Sequence, residues 1–296
     1  SNSDQTKASQ RTDHDKANAV FELPSTHQTF LWYHAAAGFP AKETFLQAVQ
    51  QQINAIWTKL TTHMIHRHFP NSDKTTKGHT KGQQQGILST QPTAPTTTQA
   101  NNDTLTAQSA ARTNGIFTHI TDLTESIHTD QTGAFPFTFQ LENRYIMVAI
   151  HLDANYIFVA PMRNRTEGEM IQVYQKLVDR MRLAGLGLKH HKLNNEASQA
   201  FKQCIQENNM EYELVPPGNH HQNQAEQAIQ TFKAHFIAIL AGVNDKFPFS
   251  LWCHLLELAE LTLNLLRQSK VAPNVSAYAH VHGQHDYMKK PFAPIG

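Results

Sequence analysis

The apolar positions of residues 117–296 form short β-rich runs in some segments, which predict strands, and recur at helical spacing in others, which predict helices. Two runs rich in β-branched and aromatic residues, 144–152 and 155–161, flank a tight turn at Asp153 and predict an antiparallel hairpin. Apolar residues at helical spacing, or in short runs, predict the remaining elements. These are helices over 166–185, 197–208, 222–241 and 249–268, and strands over 188–193 and 212–216. A strand cluster followed by alternating helix and strand indicates an α/β fold with a mixed sheet flanked by helices.

A small helical module is predicted ahead of this region, over residues 26–88. Its first helix ends at Gly38 and Pro40. Two more helices are expected over 42–52 and 55–68, because their apolar residues recur on one face.

Composition separates the other segments of the chain. Residues 1–25 are polar and are expected to be disordered. Residues 89–116 are rich in Thr, Gln and Ala and are expected to form a flexible linker. The main domain is then predicted over 117–285, with a C-terminal tail over 286–296. The sequence starts without Met, which suggests a fragment of a longer product such as a polyprotein.

Charge and cysteine content exclude several classes of protein. The 25 Lys and Arg nearly balance the 24 Asp and Glu, and the 19 His are mostly neutral above about pH 6.5. The sequence has no apolar run long enough for a membrane span and no secretory signal, so an intracellular protein is expected. Cys204 and Cys253 lie in apolar, helix-like segments and are expected to be buried free thiols, which excludes a disulfide framework.

Three short segments carry the candidate chemistry. Residues 128–133 have the sequence His-Thr-Asp-Gln-Thr-Gly, residues 193–198 have Leu-Asn-Asn-Glu-Ala-Ser, and residues 223–226 have Asn-Gln-Ala-Glu. They resemble, in order, the first-strand Asp-x-Thr-Gly element, the second-acid element and the third-acid helix of retroelement integrase catalytic cores. The similarity is greatest to copia-like retrotransposons of the diatom type. The interval from residue 194 to residue 226, 32 positions, fits the usual spacing of that family.

The resemblance implies an RNase H-like fold that binds nucleic acid and integrates DNA by Mg²⁺-dependent phosphodiester transesterification. Its catalytic positions correspond to Asp130, Asn194 and Glu226, and the metal ligands to Asp130 and Glu226. The chemistry needs acids because two Mg²⁺ (or Mn²⁺) ions stabilise the attacking and leaving oxygens, and such ions prefer anionic oxygen ligands. The resemblance also implies DNA partners (element ends and target), a homo-oligomer and action in the nucleus, with no membrane.

Asn194 departs from the pattern, since the family has Asp there. An amide offers one neutral oxygen where a carboxylate offers two charged ones, so metal binding and catalysis are expected to be impaired.

Other polar positions also differ from the family, which tends to place Arg where this chain has His and Gln. Neutral Gln keeps hydrogen bonding and loses the release of counterions that drives phosphate binding. Such replacements fit a decaying copy of a transposable element. The replaced positions are His221, Gln222, Gln227 and Gln230. The residues expected to contact nucleic acid are Lys192, His221, Asn223 and Lys233.

Residues 29–90 resemble the module that precedes the core in these elements, which in many relatives carries a His-His-Cys-Cys zinc site. This chain has no cysteine there, so zinc would need ligands such as His34 and His79, or others among His63, His66 and His68. Ordinary polar histidines are the simpler interpretation.

Three functions remain open from the sequence. The chain is a polynucleotidyl transferase core, active or impaired; or a non-catalytic DNA- or protein-binding remnant of a transposable element; or an unrelated RNase H-like nuclease. The combination of the preceding module with the Asn-Gln-Ala-Glu helix argues against the third.

Overall fold

A computed structural model describes residues 25–51, 60–79, 125–135, 142–193, 197–214, 224–286, 289 and 293–294, all within one compact unit. The expectations for residues 1–24, for the linker and for most of the tail lie outside these ranges. None of the described helices is both long and apolar enough to cross a membrane.

Short helices make up the N-terminal part of the structure. They are α1 (Thr26–Ala36), α2 (Lys42–Gln50), α3 (Thr62–His68) and α4 (Asp73–His79). The helix predicted over 55–68 is wrong at its start. Thr61 caps α3 by accepting a hydrogen bond from the Met64 N–H, and Leu60 before it is not helical. Residues 55–59 of that prediction lie outside the described part, and α4 was not predicted.

A mixed five-stranded sheet forms the centre of the molecule. Its strands are β1 (Ser126–Gln131), β2 (Tyr145–His151), β3 (Tyr156–Met162), β4 (His190–Leu193) and β5 (Glu211–Leu214). They are ordered β3-β2-β1-β4-β5, with β1 antiparallel to β2, β2 antiparallel to β3, and β4 parallel to both β1 and β5. The predicted hairpin and the predicted mixed sheet flanked by helices are therefore confirmed.

The C-terminal half contains five α-helices among the described residues, and the first four follow the predicted order. They are α5 (Glu167–Leu183), α6 (Gln199–Glu207), α7 (Gln224–Gly242), α8 (Leu256–Leu266) and α9 (Ala277–His282). The single helix predicted over 249–268 is wrong, because a 3-10 helix over Phe249–Leu255 precedes α8. Residues three apart lie above one another in a 3-10 helix, which lets Trp252 and Leu255 both reach the core. The sequence did not predict α9.

The two faces of the sheet are covered by different helices, because side chains alternate along each strand. One face packs Ile127, Ala149 and Phe158 against α5 and α6. The other packs Val148, Ile150 and Val159 against α7, the 3-10 helix and α8. In a third apolar cluster, residues of α1, α2 and α3 pack against Leu265 and Leu266 of α8. The N-terminal helices therefore contact the main domain.

Candidate active site

Asp130 lies on the central strand β1 and belongs to the face that α7 covers. Its partner in β2 is Val148, whose partner in β3 is Val159, and both valines pack in the cluster that contains α7. Cross-strand partners share a face of the sheet, so Asp130 faces the same side. One carboxylate oxygen, Oδ1, accepts a hydrogen bond from the Gln131 N–H at 2.8 Å, and the side chain stays partly exposed.

Glu226 lies in the first turn of α7, the helix that packs on β1 and β2. The apolar residues of that end of α7 recur at helical spacing and are buried, which leaves Glu226 partly exposed beside them. These buried residues are Ala225, Ala228, Ile229 and Phe232. The structure thus brings the helix that carries Glu226 against the strand and the face that carry Asp130.

Asn194, His221 and Asn223 lie outside the described residues, so their predicted roles stay predictions. Within the described ranges, no three His, Cys, Asp or Glu side chains form a group that could hold a metal ion. Asp130 and Glu226 are oxygen donors of the kind that Mg²⁺ and Mn²⁺ take, but they are two carboxylates and not three. The donor chemistry fits such an ion, and the set is incomplete without a ligand from elsewhere.

The described residues that were predicted to contact nucleic acid form a surface with little net positive charge. Lys192 on β4 pairs with Glu213 on β5, with 3.2 Å between Nζ and Oε2, and its side chain is 21% exposed. Lys233 on α7 is partly exposed. Gln227 and Gln230 are exposed on α7, so these two of the four positions where the resemblance leads us to expect Arg present neutral side chains to solvent.

His128 lies two residues before Asp130, on the same face of β1, and the sequence analysis gave it no role. It is 2% exposed, and neither ring nitrogen has a hydrogen-bond partner within the described part of the chain. Burial, together with the charges of Lys192 and Lys270, lowers the pKa of His128 to about 4. Residues two apart in a strand point to the same face, so the first motif alone could have placed His128 beside Asp130.

Lys270 was also missed, and it lies near the start of α7. Its Nζ donates to Gln224 Oε1 at 3.1 Å. Burial and the charge of Arg267 lower the pKa of Lys270, while Asp153 opposes them. No periodicity or motif in the sequence marks this lysine, since it follows α8 by only a few residues and reaches α7 through the tertiary fold.

His34 and His79, the candidate zinc ligands, lie on α1 and α4. His34 is buried, and its Nε2 lies 3.0 Å from the Pro40 carbonyl oxygen, so it already has a protein partner. Burial lowers the pKa of His34 to about 4 despite that hydrogen bond. No group of zinc ligands forms around these two among the described residues.

Both cysteines are free thiols; Cys204 is buried and Cys253 is partly buried. Burial raises the pKa of Cys253 to about 12, so neither sequence nor structure indicates a reactive thiolate there.

The sequence matches no protein-family model, and no curated protein matches it. Among solved structures, the fold is similar to a chain in the simian T-cell lymphotropic virus intasome in complex with PP2A regulatory subunit B56 gamma. That likeness has a TM-score of 0.44 and 15% identity, and it covers 54% of this chain and 55%, about half, of that chain. The catalytic core domain of BIV integrase is similar with a TM-score of 0.40 and 15% identity, over 53% of this chain and 93% of the BIV chain.

Proposed function

We propose that this chain is the integrase-type core of a retrotransposon polyprotein, which joins DNA by metal-dependent phosphodiester transesterification and is impaired by Asn194. One observation carries the proposal. Asp130 occupies the face of the central strand on which α7 packs, and α7 carries Glu226 in its first turn. The two motifs that resemble the first and third acids of the family are therefore on contacting elements, although 96 positions separate them in the sequence.

The proposed roles follow from the chemistry of these groups. A bound pair of divalent ions would supply Lewis acidity at the attacking and leaving oxygens. Asp130 and Glu226 would hold that metal through carboxylate oxygens, and Asn194 would offer one neutral oxygen in the place of a third carboxylate. The loss of one negative charge beside divalent cations weakens their binding, so activity is expected to be low at ordinary Mg²⁺ concentrations.

DNA is the proposed partner, in a homo-oligomer that acts in the nucleus. Support comes from the motifs and from two lysines on the α7 side of the sheet, Lys192 and Lys233. Because Glu213 neutralises Lys192 and the exposed Gln227 and Gln230 carry no charge, binding should depend only weakly on salt.

A remnant that binds DNA or protein without catalysis is the second candidate. Asn194 and the neutral surface of α7 favour it, because both remove charge that the reaction and its substrate need. The two candidates differ in one respect: only the first retains a metal site that a restored acid can complete.

Restoring the acid tests the proposal directly. Asn194→Asp should increase Mn²⁺-dependent nicking and joining of supercoiled plasmid DNA at least tenfold over the original chain. In that background, Asp130→Asn and Glu226→Gln should each return the activity to the level without metal. Asp179→Asn is the matched control, since this exposed carboxylate lies on α5, which covers the opposite face.

The outcomes separate the candidates. DNA binding without nicking in both the original chain and Asn194→Asp would leave the remnant as the function. Hydrolysis of the RNA strand of an RNA–DNA hybrid, abolished by Asp130→Asn, would indicate an RNase H-like nuclease instead.

A further inference from the structure

Helices α1 to α4 offer no set of zinc ligands within the described part of the chain. Cys204 and Cys253 are the only cysteines, and both follow residue 200. Of the two candidate ligands, His34 already shares its Nε2 with the Pro40 carbonyl oxygen. His79 Nε2 is buried without a partner in the described part of the chain, which would suit a metal, but a single nitrogen does not make a tetrahedral set.

Hydrogen bonds at His34 connect α1, the turn after it and α4. Its Nε2 lies 3.0 Å from the carbonyl oxygen of Pro40, in the turn after α1, and 3.5 Å from Thr75 Oγ1 on α4. Thr75 Oγ1 also donates to the Phe39 carbonyl oxygen at 3.3 Å. Helix α1, its following turn and helix α4 are thus joined at one buried histidine.

Glycine allows α4 to approach α7 very closely. A Cβ atom added at Gly78 would lie 2.4 Å from the Ala234 carbonyl oxygen and 2.6 Å from Ala238 Cβ. Both obstacles are backbone or Cβ atoms of a helix, which cannot turn aside as the end of a flexible side chain can. The absence of a side chain at Gly78 therefore sets the distance between α4 and α7.

Two more contacts hold the N-terminal helices to the same part of α7. A Cβ at Gly38, where φ is +80°, would lie 2.8 Å from His235 Cε1, and the Phe39 ring lies directly against Gly242. His235 is buried, and its Nε2 lies 2.7 Å from Thr262 Oγ1 on α8. The module thereby contacts α7 where that helix is also joined to α8.

We infer that residues 25–51 and 60–79 act as a metal-independent clamp on α7, built from the Gly78 contact with Ala234 and Ala238 and the hydrogen bonds of His34. The clamp fixes the helix that carries Glu226, and only this consequence rests on the proposed function. Its basis is packing and hydrogen bonding, so the module and the main domain unfold together, and neither needs zinc.

A pair of glycine substitutions tests the clamp in the full chain. Alanine is favoured over glycine inside a helix, so Gly→Ala at an uncrowded site leaves stability unchanged or raises it. Gly168→Ala on α5, where nothing lies within 4 Å of an added Cβ, should therefore leave the melting temperature unchanged or raise it slightly. Gly78→Ala should lower the single transition by about 5 °C or more, because α4 must move off α7. Equal effects of the two substitutions, or an early transition that leaves the main one in place, would overturn the clamp.

Hydrogen exchange and metal analysis supply independent measurements should Gly78→Ala fail to fold. Thr75→Val should speed exchange of amides in α4 and α7, whereas Thr76→Val, an exposed neighbour on α4, should not change α7. Excess EDTA should leave the melting temperature unchanged, and the purified chain should hold no stoichiometric zinc. A fall in melting temperature with EDTA, or one zinc per chain, would overturn the inference. None of these measurements uses DNA or catalysis. The clamp can therefore be disproved while the proposed function stands, and the proposed function can be disproved while the clamp stands.

Discussion

Glu260 of α8 accepts a hydrogen bond from the backbone N–H of Val159 on the edge strand β3, with 2.9 Å between Val159 N and Glu260 Oε2. Asn264, one turn later, pairs with both the N–H and the carbonyl of Ile157 at 2.9 and 2.8 Å. Arg180 of α5 donates to the Val159 carbonyl and pairs with Glu260. Side chains from two helices thereby form hydrogen bonds with the outward N–H and carbonyl groups of Ile157 and Val159 on this edge strand. Without them, those groups could pair with a strand of another chain.

Removing the Glu260 carboxylate should destabilise the protein. Burial raises the pKa of Glu260, and the charge of Arg180 and the hydrogen bonds from Val159, Arg180 and Tyr156 oppose that rise. Glu260→Leu would leave the Val159 N–H and the Tyr156 hydroxyl without their acceptor, at a cost of about 3 kcal/mol in the free energy of unfolding measured with urea. Glu257→Gln, exposed on the same helix, should change it by less than ~0.5 kcal/mol. Equal costs at the two positions would contradict the role of the edge contact.

Substitution of His191 on β4 should lower the free energy of unfolding, whereas substitution of His128 on the neighbouring strand β1 should not. His191 Nε2 lies 2.8 Å from Thr129 Oγ1, and its Nδ1 lies 3.1 Å from the Tyr174 hydroxyl. His191→Met would remove the ring partner of both buried hydroxyls, leaving the Tyr174 hydroxyl only its weak contact with Met210 Sδ at 4.0 Å, and should cost about 2–4 kcal/mol. His128→Met removes two ring nitrogens that have no partner among the described residues, so it should be neutral or stabilising. Chemical denaturation of both variants decides the matter; a large loss for His128→Met would mean that the ring binds something.

Stability should fall as the pH is lowered from 7 to 5. Burial lowers the pKa of His34 to about 4 and those of His191 and His235 to about 3, against about 6.5 in the unfolded chain. Between these values the unfolded chain binds more protons than the folded one, so stability is full above pH 6.5 and decreases towards pH 4. Each histidine contributes up to ~1.4 kcal/mol per pH unit to that slope.

The measurement is the free energy of unfolding at several pH values. His235→Gln should flatten the slope between pH 6.5 and 4, because this residue no longer takes up a proton on unfolding. His66→Gln, exposed on α3, should retain the full slope. A slope that is the same in His235→Gln and in the original chain would contradict the assignment.

Local pattern predicted the hairpin of the sheet well, because two runs rich in β-branched and aromatic residues on either side of the Asp153 turn leave few alternatives for β2 and β3. It failed for α4, whose threonines and Gly78 are poor helix formers; that helix packs on α7, a contact that no local pattern reveals. The 3-10 segment before α8 was missed for a similar reason, because periods of 3.0 and 3.6 residues are hard to distinguish over seven positions.

Part of the candidate site was accessible from the sequence. The motifs singled out Asp130 and Glu226 as candidates, and the structure places them on contacting elements, while their roles stay predictions. Lys270 could not be found, since it reaches Gln224 through the tertiary fold and has no motif of its own. His128 could have been found from the alternation of β1, but its lack of hydrogen-bond partners is a property of the packed structure.

In the proposed active site, Asp130 and Glu226 hold one divalent ion between them. A crystal of Asn194→Asp soaked in MnCl₂ tests it most directly, through the anomalous scattering of manganese. We expect a manganese peak bonded to oxygens of both carboxylates at about 2.1–2.2 Å, the distance range of hard-cation coordination, and no peak there in Glu226→Gln. If the two carboxylates point apart in well-ordered crystals and no manganese lies between them, Asp130 and Glu226 do not form a metal site.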